Sequence, residues 1–229
     1  MTQKCQHCDL HMGCLDHVPI FGGLDEADRL AIASTATSRS YEKGEMIYSA
    51  GEAGGRLFVL YTGSAKQFRL NPNGREQVIR LVEPGDFVGE LSLFSTLPLN
   101  DNLQALTAAT CCMLDGQQVK ALMAKEPMIA FKVMDELSRR LETVEDRIEA
   151  ISLGSVGQRI SRALLDLAGE RKAFELPMSK GDWASQLGMS QETLSRKLSS
   201  WQEEGLISLK GLRRITLLDR EALEAQRED

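Results

Sequence analysis

Three cysteines fall within ten residues near the start of the chain, as Cys5-x2-Cys8-x5-Cys14, and two more, Cys111 and Cys112, lie side by side about a hundred residues later. The first fifteen residues carry Cys, His and Asp where a secretory signal would place basic and then apolar residues. The chain is therefore expected in the cytoplasm, where thiols stay reduced, and its clustered cysteines point to soft-metal or thiol redox chemistry. His7, His11 and His17 share that segment and read as solvated loop residues, with zinc held by cysteine and histidine as a lesser candidate.

A second set of residues suits a different chemistry. Ser190 offers an N-cap to a helix running from Gln191 to about Glu204, and Gly205 stops it. Positions i, i+1, i+4 and i+5 share a helix face, which groups Gln191, Glu192, Ser195 and Arg196. An arginine can pair with guanine O6 and N7, and a carboxylate can accept from cytosine N4, each good contact discriminating by roughly 1 to 3 kcal/mol. Lys180, Lys197, Lys210, Arg213 and Arg214 are suited to meeting phosphates and fixing register. The partner implied is double-stranded DNA.

Several elements must hold these groups in place. A short acidic-led helix is expected over Leu24 to Ala36. From Tyr41 to Leu114 short runs are punctuated by Lys43-Gly44, Gly51, Gly54-Gly55, Gly63, Asn73-Gly74, Pro84-Gly85 and Pro98, which predicts an antiparallel barrel or jelly roll. Asn73-Gly74 between FRL and EQVIRLV marks a hairpin. Beyond Pro127 the apolar residues Ile129, Val133, Leu137, Leu141, Val144, Ile148 and Ile151 step by three or four, predicting a long helix with one narrow apolar stripe and thus a two-stranded homodimer seam. Ser152-Leu153-Gly154-Ser155 reads as its hinge. Next come helices over Gln158–Leu167 and Lys180–Leu187, the latter ended by Gly188, then the Gln191 helix and a hairpin around Lys210-Gly211. Together these make a winged helix-turn-helix.

The expected fold class is thus α+β. Residues 1–19 form a cysteine-bearing segment, 20–125 a β-roll, 126–153 the dimerisation helix and 154–229 the winged helix-turn-helix. Composition agrees: of 229 residues 42% are hydrophobic and 26% charged, as in ordinary globular chains. No apolar run reaches the roughly 18 residues of a membrane helix. The formal charge of −6 argues against simple electrostatic adhesion to nucleic acid, but it is unevenly spread. Up to Gly154 there are 15 basic and 21 acidic residues; from Ser155 there are 12 of each. An enzyme is not expected, because all three histidines precede residue 18, where a cupin would place them on barrel strands, and neither a Ser-His-Asp pattern nor a phosphate-cradling glycine loop is present.

The stretch MSKGDWASQLGMSQETLSRKLSSWQEEGLI, with GDFVGELSLF upstream and the striped helix between, resembles the cyclic-AMP receptor and fumarate-nitrate-reduction (CRP/FNR) regulator superfamily over nearly the whole chain. The resemblance implies a cyclic-nucleotide-binding-like β-roll, a dimerisation helix and a DNA-binding domain that reads two-fold symmetric sites with half-sites roughly 34 Å apart. It also implies that Glu192 and Arg196 read a TGA element, that Ser195 is the FNR-type choice, and that an activator of this kind would meet RNA polymerase. Gln191 departs from the small apolar residue usual before that glutamate, which leaves the outer bases of the half-site open.

Two sensing chemistries follow from the same resemblance. Glu90 resembles the ribose-binding glutamate of the nucleotide-binding members, yet Pro98-Leu99-Asn100-Asp101-Asn102 holds a carboxylate where those members carry a phosphate-binding Arg and a hydroxyl. Cyclic-nucleotide or other small-molecule sensing is accordingly the weaker alternative. The cysteine spacing resembles the oxygen-sensing FNR branch, whose three N-terminal cysteines and one β-roll cysteine hold a [4Fe-4S] cluster; here these would be Cys5, Cys8, Cys14 and Cys112. Adjacent strand residues point to opposite faces, so Cys112 would face the N-terminal segment and Cys111 would be a small buried residue. A cluster-free switch, with Cys5 or Cys8 in a disulfide to Cys112, is the alternative on the same fold.

Overall fold

The structure is a computed structural model that describes residues 3–4, 21, 26–27, 36–95 and 97–228. The helix expected over 24–36 falls largely outside these, as do Cys5, Cys8, Cys14 and the three histidines. By packing, the chain divides into two compact units, Met1–Asn73 with Ile79–Arg140, and Gly74–Val78 with Leu141–Asp229.

The first unit is a jelly roll of two antiparallel sheets. One has the order β1 (Gln3–Lys4), β2 (Thr37–Tyr41), β9 (Ala109–Asp115), β4 (Arg56–Thr62), β7 (Phe87–Val88). The other has the order β3 (Met46–Tyr48), β8 (Asn102–Ala105), β5 (Ala65–Leu70), β6 (Glu76–Val82). Gly74, at φ +73°, sits in the turn between β5 and β6, the left-handed conformation that the Asn-Gly pair supplies without strain.

Period-two alternation along β4 and β9 builds two cores back to back. Phe58, Leu60, Ala109 and Cys111 point between the sheets, where they meet Tyr41, Ile47, Tyr48, Val82 and Leu103. Leu57, Val59, Cys112 and Leu114 point outward, beneath Phe21, Val119, Leu122, Ile129 and Val133. The cover on that outer face comes from helix α2 (Gly116–Lys125) and the start of α3 (Pro127–Leu153), after the short α1 (Glu90–Ser95). Asp115 starts α2 as its N-cap, accepting from Gln117 N at 2.9 Å and Gln118 N at 3.2 Å.

Helix α3 is the long helix that the stripe predicts, but its first half carries two apolar faces. Ile129 and Val133 are buried in the outer core of the roll, and Leu137 packs against it. These three therefore serve the helix's own domain and do not form the seam expected of them. Met128, Phe131 and Met134 stand exposed instead, in line with Leu141, Val144 and Ile148, which are also exposed. The Ile151 side chain lies outside the described residues.

The second unit begins cleanly after Gly154. Ser155 caps α4 (Val156–Ala168) in a reciprocal box, its hydroxyl taking Gln158 N while the Gln158 side chain takes Ser155 N. Helices α5 (Lys180–Gln186) and α6 (Gln191–Glu203) follow, then β11 (Ile207–Lys210) and β12 (Arg214–Leu217). A strand absent from the sequence reading, β10 (Ala173–Glu175), joins β12 to complete a three-stranded sheet. Helix α7 (Arg220–Glu228) was also unforeseen; it packs on α4, burying Leu223, and Ser161 Oγ donates to the Leu223 carbonyl. Among the described residues no helix is long and apolar enough to cross a membrane.

Candidate functional site

The arrangement around α6 grows from local capping. Ser179 caps α5 by accepting from Asp182 N at 3.1 Å, and Trp183 and Ala184 anchor that helix in the core. Gly188, at φ +68°, makes the left-handed turn that ends α5, and Met189 N closes back on Ala184 O at 3.0 Å. Arg159 on α4 clamps the turn, donating to Leu187 O at 3.0 Å and Gly188 O at 3.3 Å. Ser190 then caps α6 by accepting from Thr193 N at 3.1 Å. This short, doubly fixed turn sets the angle between the two helices.

Helix α6 buries Leu194, Leu198 and Trp201, each 0% exposed, and so turns its opposite side outward. Glu192, Ser195, Arg196, Ser199, Ser200 and Glu203 line one open face. Arg196 donates to Glu192 across one turn at 2.6 Å, so the two groups best suited to base edges are held parallel before any partner arrives. Gln191 behaves differently from its neighbours. Its Oε1 lies 3.0 Å from where a Cβ on Gly181 would sit, which places its amide over the N-terminal turn of α5.

The expected phosphate-facing cations occupy several settings. Lys210, Arg213 and Arg214 are exposed on the β11–β12 hairpin, whereas Lys180 is half-buried in the first turn of α5. Lys197 lies with its Nζ 5.0 Å from the centre of the Trp201 ring, along its own helix. The hairpin is tied to α6 because Leu209 N donates to Gln202 Oε1 at 2.9 Å.

In the roll, Cys111 and Cys112 are both free thiols and both buried, but in different cores. Cys112 shares its core with Phe21 and Ala36 on one side and with Ile129 and Val133 of α3 on the other. Its ladder partners are Ser38 and Val59, and Ser38 in turn pairs with Gln3, so Gln3, Ser38 and Cys112 form one row across three strands. That row spans about 10 Å. Among the described residues no group of three or more metal-ligating side chains comes together.

A polar chain inside the roll was not visible in the sequence. Asp101, 5% exposed, accepts from Tyr48 Oη at 2.7 Å and Gln67 Nε2 at 2.9 Å. Gln67 accepts from Arg80 Nε at 2.9 Å, and Arg80 also donates to Phe87 O at 2.8 Å and lies 3.5 Å from Asp86. Burial, followed by the Asp101 carboxylate, pushes the Tyr48 phenol far above its ordinary value, so it remains a donor at neutral pH. Burial and the neighbouring Arg140 pull Arg80 down. A cation therefore does reach the region where the 98–102 stretch alone supplied none, but its donors are already engaged. Glu90 is engaged as well: Arg140 on α3 donates to it at 3.0 Å while stacking 4.2 Å over the Phe87 ring.

The chain matches the Cyclic nucleotide-binding domain family over residues 38–126 and the Crp-like helix-turn-helix domain family over residues 158–226. It is 32% identical over 213 residues to the Probable transcriptional regulator flp of Lacticaseibacillus casei, spanning 92% of this chain and 96% of that one. The CRP-like cAMP-activated global transcriptional regulator of Mycobacterium tuberculosis is 26% identical over 211 residues, 89% of this chain and 94% of its own. The Fumarate and nitrate reduction regulatory protein of Yersinia pestis is also 26% identical, over 226 residues, 96% of this chain and 88% of its own. With both domain families in order and relatives aligned along almost their full length, the chain belongs to the CRP/FNR superfamily of DNA-binding transcription regulators, which are not enzymes.

Proposed function

We propose that this regulator is a homodimer that answers to oxygen or redox state through Cys5, Cys8, Cys14 and Cys112, holding a [4Fe-4S] cluster, and reads two-fold symmetric DNA with TGA-containing half-sites. The observation that carries the sensing half is the position of Cys112. Its side chain lies on the face of β9 that Phe21 covers, and its ladder row reaches Gln3, two residues before Cys5. Four soft thiolates suit such a cluster, and Cys112 is the β-roll cysteine turned toward the N-terminal side. When bound, the cluster supplies a centre whose reduction potential depends on burial and hydrogen bonding around its sulfurs.

The chain's own residues do the rest. Cys112 touches the same core as Ile129 and Val133, so a change in bonding at its Sγ alters the packing of the first turns of α3. Phe87 belongs to that core and lies under Arg140, whose carboxylate partner Glu90 opens α1. The path from thiol to long helix is thus continuous within the first unit. At the other end, Arg196 and Glu192 face base edges while Lys210, Arg213 and Arg214 meet phosphates. Cyclic-nucleotide sensing is the weaker reading, because Asp101 and Glu90 already have protein partners and Arg80 has no free donor turned toward an anion.

The test is the ultraviolet-visible spectrum, with iron and sulfide assays, of protein purified without oxygen and then exposed to air. A broad absorption near 400 nm that bleaches in air, with about four iron per subunit, is expected. Colourless, iron-free protein that loses two thiols on oxidation would replace the cluster with a disulfide to Cys112. Iron-free protein indifferent to oxidation would remove the redox reading altogether.

A further inference from the structure

The turn of the β11–β12 hairpin presents Leu212 with 86% of its surface exposed, more than any other large apolar residue described. The fold has no use for a leucine there. Gly211, at φ +64°, and the Lys210–Arg214 pair close the turn, and the apolar support of the sheet is supplied below it by Ile207, Ile215 and Leu217. Three cations surround the leucine. Lys210, Arg213 and Arg214 are exposed, and none has an ion-pair partner among the described residues. Lys210 and Arg214 are direct partners in the ladder, a like-charge pairing that disfavours the hairpin until an anion lies beside it.

Such a tip, apolar at its apex and cationic on both flanks, complements a narrow groove with anionic walls and a floor of stacked rings. The minor groove of B-DNA is about 6 Å wide and bounded by phosphates on both sides. Apolar side chains inserted there unstack a base step and kink the duplex, most readily at pyrimidine–purine steps. The bond from Leu209 N to Gln202 Oε1 fixes the hairpin to the back of α6, so the tip keeps a set position relative to Glu192 and Arg196.

We propose that the hairpin enters the minor groove beside each half-site, with Leu212 against one base step and Lys210, Arg213 and Arg214 on the flanking phosphates. The regulator thereby reads a flank that its helix never touches. The proposal rests on α6 being the major-groove reader.

The probe is a pool of duplexes carrying two inverted TGA half-sites one helical turn apart with randomised flanks, together with one such duplex labelled with 2-aminopurine in the flank. The wild-type protein is expected to enrich pyrimidine–purine steps at one fixed distance outside each half-site and to raise 2-aminopurine fluorescence there. Leu212→Ala, at a site too exposed to disturb folding, is expected to lose both effects and to bind the preferred flank about tenfold more weakly, while keeping its half-site preference. Unchanged flank selection, fluorescence and affinity in Leu212→Ala would overturn the proposal; if transcription with RNA polymerase then fell, the tip would belong to a protein contact. Failure of the wild-type protein to enrich the half-sites at all would overturn the α6 assignment first, and the hairpin proposal with it.

Discussion

Arg196 and Glu192 illustrate how little a DNA-reading residue need contribute to the fold that carries it. Their ion pair is 75% and 80% exposed, and pairs of that kind contribute little to stability. Arg196→Ala should therefore unfold at the wild-type temperature yet lose its preference for the half-site by at least about tenfold. Lys210→Ala should instead weaken binding to specific and random duplexes alike and reduce the salt dependence of binding by about one ion. Fluorescence anisotropy on both duplexes at several salt concentrations separates these outcomes. Equal losses on both duplexes for Arg196→Ala would remove it from the base-reading role. Gln191 stands apart because its amide rests over Gly181, which ties the residue that departs from the family pattern to the helix–helix contact as well as to the outer bases.

Among the elements, α3 does two jobs with two faces. Ile129 and Val133 hold the roll, while Met128, Phe131, Met134, Leu141, Val144 and Ile148 form the exposed row suited to a second copy. Ile148→Glu is accordingly expected to split the dimer and leave each monomer folded. Val133→Ala should do the reverse, lowering stability by about 1 to 3 kcal/mol with the dimer intact. Light scattering and thermal unfolding distinguish the two; a monomeric but stable Val133→Ala would restore the single-stripe view of the helix. The sequence could not separate these faces, because steps of three and four drift around a helix and both rows satisfy them. Other elements were plain in the sequence because the chemistry that makes them is local. Ser190 and Gly205 bound α6, Gly188 turns the chain before it, and the pairs Asn73-Gly74 and Lys210-Gly211 mark hairpins. The three-residue strand β10 and helix α7 depend on distant partners, as does the Glu90–Arg140 pair, which bridges 50 positions. No local pattern announces such contacts.

For the whole molecule, the described part of the exposed row on α3 bears no charged residue among its apolar positions, so nothing along it drives two copies apart. We expect the protein stripped of iron to remain dimeric, with the signal acting on the disposition of the DNA-binding domains and not on assembly. Size exclusion with light scattering at micromolar concentration checks this, and a monomer would refute it. The distribution of charge supports a division of labour: 15 basic against 21 acidic residues up to Gly154, and 12 of each beyond it, leave the winged domain as the part that a polyanion tolerates.

The neighbouring thiols on β9 carry a last implication. Cys111 and Cys112 differ by one step along a strand held on both sides, and that step sends one sulfur to the interior of the roll and the other to the long helix. Oxidation, alkylation or metal capture at either sulfur is the same reaction on the same kind of atom, yet only at Cys112 does it reach a helix that leaves the domain. The assignment of messenger and bystander is a matter of parity. Inserting one residue early in β9 would exchange the two roles without changing the cysteine content of the protein.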